Sequence, residues 1–151
     1  MATEAGSAQR VVVGIDGSAE SVRALGWAAS YAEATGAMIE ALLSWRYPAE
    51  GGVNLPGAAP KAVNQEVGAT MQAVLNKALT EVYGTDAPAK VHTTIAYGHP
   101  AEMLIDASKD ADLLVVGNRG HGAFPGMSTG SVSMHCVNHA NCPVVVVRGT
   151  Q

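Results

Sequence analysis

The sequence predicts a single α/β domain built on a doubly wound parallel sheet. Short β-branched runs alternate along the chain with segments that carry apolar residues at helical spacing. Three of the runs are apolar on both faces, as strands beneath two layers of helices require. The length of 151 residues suits one core rather than two. We therefore expect a parallel sheet with right-handed crossovers and helices on both faces.

Five segments are predicted to be strands, and four segments between them are predicted to be helices. The strands span residues 10–16, 38–45, 91–97, 112–117 and 143–148. The helices span residues 19–35, 62–83, 100–109 and 131–140. Ser18 is placed to cap the first helix and Gly36 to end it, while Pro100 suits the first position of the third. Val22, Leu25, Ala29 and Ala32 form the apolar stripe predicted for the first helix.

Composition and charge exclude several classes of function. A net charge of −4 disfavours a nucleic-acid partner, which requires a concentrated basic face. The longest apolar run, Val144–Val147, is far shorter than the roughly 20 residues that cross a bilayer. Residues 1–9 are predicted to be a flexible segment without signal-peptide features, and residues 51–60 a mobile connection rich in Gly and Pro. Two cysteines suit a reducing compartment, so we expect a soluble cytoplasmic protein with no membrane partner.

The chemistry is carried by a glycine-rich segment after the fourth predicted strand. Residues 117–133 hold five glycines, and Ser131 and Ser133 open the helix that follows. Glycines let the backbone approach a ligand closely, and the start of a helix presents free N–H groups to phosphate oxygens. A long surface loop before a capped helix has the same composition. On composition alone, the two interpretations are about equally supported.

Several motifs in the expected order resemble the universal stress protein family. The spacing Gly117-x2-Gly120-x9-Gly130-Ser131 is similar to the ATP-binding signature of that family. Residues 11–18, 98–102, 110–117 and 139–148 resemble other segments of the family. The resemblance covers nearly the whole chain. It implies one universal stress protein domain over residues 10–151, with a Rossmann-like sheet in the order 3-2-1-4-5.

The resemblance also implies an ATP site and the residues that form it. Asp16 would accept hydrogen bonds from the ribose hydroxyls, the main chain of Ser44 would contact the adenine edge, and Gly117 would lie beside the ribose. The phosphates would lie against Gly120, Gly130, Ser131 and Ser133, with Val132 contributing main chain only. Mg²⁺ would bridge the phosphate oxygens. The sequence departs from the family at Met127, Ser128 and Thr129, where aliphatic residues are usual.

Three functions remain open on the sequence. The first is a cytoplasmic ATP-binding module of the stress response that regulates by binding. The second is a slow ATPase or an autophosphorylating enzyme, although no residue is predicted to be catalytic and Asp16 could simply cap a turn. The third is a binder of cyclic AMP or another adenine nucleotide.

Two smaller features complete the prediction. His135 and His139 share one helix face at a spacing that can hold a metal ion, but Cys136 points about 100° away, so no metal site is predicted. The family resemblance places the fifth strand at the sheet edge, where it would pair with a second copy. That strand has no Lys or Pro to block pairing, so we expect a homodimer through Val144, Val145, Val146 and Val147.

Overall fold

A computed structural model describes residues 8–45, 60–118 and 130–149, with side chains for all of these except 60–67. Its sheet has five parallel strands in the order β3-β2-β1-β4-β5, which confirms the predicted fold class and strand order. The strands are β1 (Arg10–Ile15), β2 (Met38–Trp45), β3 (Val91–Tyr97), β4 (Leu113–Gly117) and β5 (Val144–Val147).

Four helices cover the two faces of the sheet. They are α1 (Ala19–Thr35), α2 (Pro60–Tyr83), α3 (Pro100–Ser108) and α4 (Ser131–His139). The side chains of α1 and α2 join one apolar core, and those of α3 and α4 join the other. The predicted helix boundaries agree within two residues, and Pro60, which was assigned to the mobile connection, begins α2 instead.

The central strand β1 supplies both cores. Val11, Val13 and Ile15 face the core beneath α1 and α2, whereas Val12 faces the core beneath α3 and α4. All four side chains are buried, because a strand between two layers of helices has no solvent face.

The apolar stripe predicted for α1 is wrong at one position. The buried residue is Ala28 rather than Ala29, and Ser21 and Ala24 join it on the covered face with Leu25. Small residues occupy this face because α1 packs closely on β1 and β4.

Local hydrogen bonds set the helix ends as the sequence predicts. The Ser18 hydroxyl accepts the Ser21 N–H at 3.1 Å and so caps α1. Gly36 ends the same helix at φ 79°, a left-handed conformation that favours glycine. Pro100 opens α3, where the Nδ1 atom of His99 accepts the Ala101 N–H at 3.2 Å.

A charged network joins three strands on the face that carries α3. The Arg10 guanidinium pairs with the Glu40 carboxylate, and the Thr94 hydroxyl donates to the same carboxylate at 2.7 Å. Burial opposes ionisation of Glu40, but the hydrogen bonds from Arg10 and Thr94 together outweigh it and lower the pKa of that carboxyl. Glu40 is therefore held as a carboxylate between β1 and β3.

Strand β5 lies at one edge of the sheet, and its four valines are only partly buried. Among the described residues, no helix is long and apolar enough to cross a membrane. Residues 1–7 of the predicted flexible segment and 51–59 of the predicted connection lie outside the described residues. Gln9 immediately precedes β1, and its carbonyl accepts the Met38 N–H at 2.8 Å.

Candidate functional site

A cleft opens at the carboxyl ends of the strands, where the strand order reverses on either side of β1. The β1–β4 register ends at Val13 and Val115, two residues before the end of each strand. In doubly wound sheets, ligands bind at such a switch point. The cleft is lined by Gly14, Ile15, Asp16, Ser18, Ser21, Leu42, Ser44, Pro100, Leu104, Val116, Gly117, Gly130, Ser131, Val132 and Ser133.

The structure brings seven of the eight predicted site residues to this one cleft. They come from the ends of three strands and from the first turn of α4: Asp16, Ser44, Gly117, Gly130, Ser131, Val132 and Ser133. Gly120 lies outside the described residues, as does the unusual segment 127–129. The contact of Gly120 with phosphate stays a prediction.

The floor of the cleft is apolar. Leu42, Leu104 and Val116 are buried there and belong to the core beneath α3 and α4. Gly14 allows Leu104 to pack directly on β1, because a Cβ at this position would lie 3.0 Å from the Leu104 Cδ1 atom. An apolar floor with a few polar groups around it suits a heteroaromatic ring.

Asp16 forms the turn between β1 and α1. Its Oδ1 atom accepts the Ser18 N–H at 2.9 Å and the Ser18 hydroxyl proton at 2.5 Å. The Ser21 hydroxyl in turn accepts the Asp16 N–H at 3.3 Å. Asp16 therefore caps this turn while its exposed side chain lines the cleft, so the structural and ligand-binding interpretations are compatible.

Ser44 reaches the cleft because β2 extends beyond β1. The β1–β2 register ends at Ile15 and Leu43, whereas the β2–β3 register continues to Trp45 and Tyr97. Ser44 therefore lies one residue beyond the last β1–β2 register pair, where its main chain borders the cleft. Its hydroxyl donates to the Gly98 carbonyl at 2.5 Å.

Gly117, at the end of β4, allows α1 to approach the sheet closely. A Cβ at this position would lie 2.9 Å from the carbonyl carbon and oxygen of Glu20 in the first turn of α1. Close packing against that helix accounts for the glycine whether or not a ribose lies beside it. This structural role was not foreseen from the motif.

The first turn of α4 forms the polar end of the cleft. Gly130 is its N-cap and provides no side chain to accept hydrogen bonds from the turn. Its φ of −72° and ψ of 164° are open to any residue, so the backbone angles do not require glycine here. The positive end of the helix dipole, and N–H groups that Gly130 does not cap, therefore face the cleft.

The two serines of this turn differ in their surroundings. Ser131 is exposed, whereas Ser133 is buried and donates its hydroxyl proton to the Gly117 carbonyl, with the Asn118 carbonyl at 3.3 Å. Ser133 therefore joins α4 to the end of β4. Any contact of Ser133 with a ligand at this end falls to its main chain.

Several residues that line the cleft were not among the predicted site residues. These are Ser18, Ser21, Leu42, Pro100, Leu104 and Val116. Ser18, Pro100 and Val116 belong to segments that resemble the family, and Leu42 lies two residues before Ser44 on the same face of a predicted strand. Ser21 and Leu104 reach the cleft through the packing of α1 and α3, which no motif indicated.

The His and Cys residues of α4 lie away from the cleft lining. The rings of His135 and His139 are neighbours, with centroids 4.8 Å apart. Cys136 is buried in the core beneath α3 and α4, and this burial, with a smaller effect of Cys142, raises the pKa of its thiol to about 11. A thiol in this environment stays protonated at neutral pH and serves as a packing residue.

Comparisons with known proteins agree with the fold and with the motif order. The model of the universal stress protein family matches residues 7–148. A universal stress protein of Mycolicibacterium smegmatis is 36% identical over 138 residues, which is 91% of this chain and 45% of that protein. A universal stress protein of Mycobacterium tuberculosis is 47% identical over 60 residues, covering 40% of this chain and 20% of that protein. The chain thus spans less than half the length of these relatives.

Two solved structures share the architecture. UspA from Lactobacillus plantarum superposes with a TM-score of 0.77 at 26% identity, over 93% of this chain and 97% of its own. A universal stress protein in complex with cAMP superposes with a TM-score of 0.67 at 28% identity, over 93% and 98% of the two chains. Because the family model spans almost the whole described sheet and its helices, the chain belongs to the universal stress protein family.

Proposed function

We propose that this chain is a cytoplasmic ATP-binding module of the stress response, which acts by binding and regulation. The observation that carries the proposal is the cleft at the switch point, which has an apolar floor and is lined at its polar end by the first turn of α4, where Gly130 provides no side-chain cap. This arrangement suits a base on the floor and phosphates at the helix N-terminus. The solved relative in complex with cAMP supports an adenine nucleotide as the ligand.

The proposed roles are those that the family resemblance implies, and the positions of the described residues in the cleft support them. The base lies over Leu42 and Leu104 beside the main chain of Ser44, and the ribose lies between Asp16 and Gly117. The phosphates contact the first turn of α4 and the glycine segment before it: Gly120, Gly130, Ser131, Val132 and Ser133.

Mg²⁺ fits this arrangement through the phosphates. The cleft lining contains one carboxylate among the described residues, that of Asp16, and its side chain is exposed. Mg²⁺ keeps several waters and commonly needs only one or two carboxylates besides substrate phosphates. When bound, the ion would neutralise phosphate charge in a protein that is itself acidic.

The alternative is a slow ATPase or an autophosphorylating enzyme. The exposed hydroxyl of Ser131 is the feature that favours it, because this hydroxyl lies at the proposed phosphate end. Multiple turnovers per minute by the pure protein, lost on a single substitution in the loop, would support the enzyme. Binding without turnover supports the regulatory module.

Calorimetric titration with ATP, with and without Mg²⁺, tests the proposed function. We expect ATP binding by the wild-type protein and a tenfold to hundredfold weaker affinity for Ser131→Ala, on the order of one lost charge-assisted contact. Gly130→Val should abolish binding, because a branched side chain enters the phosphate end. Cyclic AMP is titrated in parallel, and tighter binding of cyclic AMP than of ATP would favour the third function.

Ser108→Ala is the matched control. Ser108 is fully buried, and its hydroxyl joins α3 to the Asn141 main chain outside the cleft lining. A folded Ser108→Ala protein should bind ATP like the wild type. Unchanged ATP affinity in a folded Gly130→Val protein would remove the phosphates from this turn.

A further inference from the structure

The side chain of Ser44 lies where the apolar floor meets the polar rim of the cleft. It shares a strand face with Leu42, which belongs to the floor, and it lines the cleft together with Pro100 at the start of α3. The residue is partly buried, and so is the hydrogen bond that its hydroxyl makes. A polar atom in this position can distinguish ligands by the hydrogen bonds that they offer.

The hydroxyl proton of Ser44 is already used in a hydrogen bond within the protein. Ser44 Oγ lies 2.5 Å from the Gly98 carbonyl oxygen, and a carbonyl has no proton to give, so Ser44 must be the donor. Gly98 is itself held in place, since its N–H donates to the Trp45 carbonyl at 2.8 Å. The Ser44 oxygen therefore keeps lone pairs but no proton for a ligand in the cleft.

We propose that Ser44 Oγ acts as an acceptor-only contact that selects bases with an exocyclic amino group, such as 6-aminopurines. This inference rests on the proposed nucleotide binding in the cleft, and it adds a side-chain contact to the main-chain contact expected there. An amino group donates to the oxygen, whereas a base with only hydrogen at that position leaves the oxygen unpaired and desolvated. The tie to Gly98 enforces the selection because it prevents the hydroxyl from turning to donate.

A purely structural role makes a different prediction. If Ser44 only ties β2 to the turn before α3, its loss shifts Pro100 and weakens every base equally. If the oxygen contacts the amino group, its loss weakens only ligands that carry that group. A pair of ligands differing in this group separates the two roles.

The experiment compares ATP with purine riboside 5′-triphosphate, which carries hydrogen in place of the 6-amino group. We expect the wild-type protein to prefer ATP. Ser44→Ala should weaken ATP binding by about twofold to tenfold and leave the analogue nearly unchanged. Ser44→Thr keeps the hydroxyl and should keep the preference, and the Ser108→Ala protein should behave like the wild type toward both ligands.

Each result decides the proposal. Equal losses of both ligands on Ser44→Ala, or no wild-type preference, would overturn it while leaving the proposed nucleotide binding intact. Failure of the wild-type protein to bind either ligand would overturn both. Should Ser44→Ala not fold, Ser44→Cys replaces the oxygen with a weaker acceptor at similar volume, and the same ratio of affinities decides.

Discussion

Several residues of the cleft serve the fold and the proposed ligand at once. Asp16 caps a turn with one carboxylate oxygen, and Ser133 uses its hydroxyl to join α4 to β4. Truncating such a residue lowers the stability of the protein as well as its affinity for the ligand. Substitutions that keep the structural hydrogen bond are therefore the informative ones.

Asp16→Asn is such a substitution, because its amide oxygen can still accept the Ser18 N–H. We expect it to weaken ATP by about tenfold to a hundredfold, the size of a charged hydrogen bond, and 2′-deoxy-ATP by less. The deoxy ligand lacks one of the hydroxyls that the carboxylate would accept. Titration of both nucleotides measures the difference, and equal losses would instead indicate a structural or metal-binding role for Asp16.

Gly117→Ala should destabilise the protein by about 1 to 3 kcal/mol, since a methyl group 2.9 Å from the Glu20 main chain forces α1 away from β4. Gly26→Ala, within α1 itself, is the matched control. A Cβ at Gly26 meets nothing within 4 Å, so alanine there should stabilise by about 0.5 to 1 kcal/mol. Urea unfolding measures both, and an equally tolerated Gly117→Ala would contradict the close packing.

At the scale of elements, hydrogen bonds made by side chains join neighbouring elements more specifically than packing alone. The Arg10–Glu40–Thr94 network joins β1, β2 and β3, with Glu40 on the middle strand of the three. A similar tie joins the end of α3 to the residues before β5 through Ser108. These contacts set the register of neighbouring strands and the position of the helix beside the cleft.

The lowered pKa of Glu40 predicts a pH dependence of stability. The folded pKa lies below the ordinary value of 4.5, so the network contributes fully at neutral pH. Its contribution falls as the pH drops below about 4.5 and is lost once the pH passes the folded pKa. Glu40→Gln should cost about 1.5 kcal/mol at pH 7 and less at acid pH, as measured by urea unfolding at several pH values. A cost independent of pH would contradict the prediction.

At the scale of the whole molecule, the edge strand β5 is the feature that suits assembly. The Leu114 N–H donates to the Pro143 carbonyl and the Asn118 N–H to the Val147 carbonyl, so alternate residues of this strand bond to β4. The main-chain N–H and C=O groups of Val146 fall on the other side of this alternation, so they point away from β4 toward the open edge. An edge of this kind is satisfied when two copies pair about a twofold axis.

Val146→Pro tests the proposed homodimer, because it removes an outward N–H without breaking the β4–β5 ladder. We expect a wild-type dimer in sedimentation velocity at tens of micromolar, roughly the range where weak interfaces assemble, and a folded monomer or an aggregate for the variant. Val145→Pro is the contrasting control. It removes a bond to β4 and should lower stability by about 1 kcal/mol or more. A monomeric wild-type protein would exclude the dimer.

The sequence by itself determined the elements, their ends and the family. Periodicity and local capping act within a few residues, so Ser18, Gly36 and Pro100 mark helix ends as predicted. The tertiary structure decided which residues far apart in the chain bond to or pack on one another. Ser133 is turned to Gly117 rather than to a ligand, Ser44 donates to Gly98, and Leu104 reaches the floor only because Gly14 lets α3 approach β1. These outcomes depend on packing between elements far apart in the chain, which no local pattern of residues encodes.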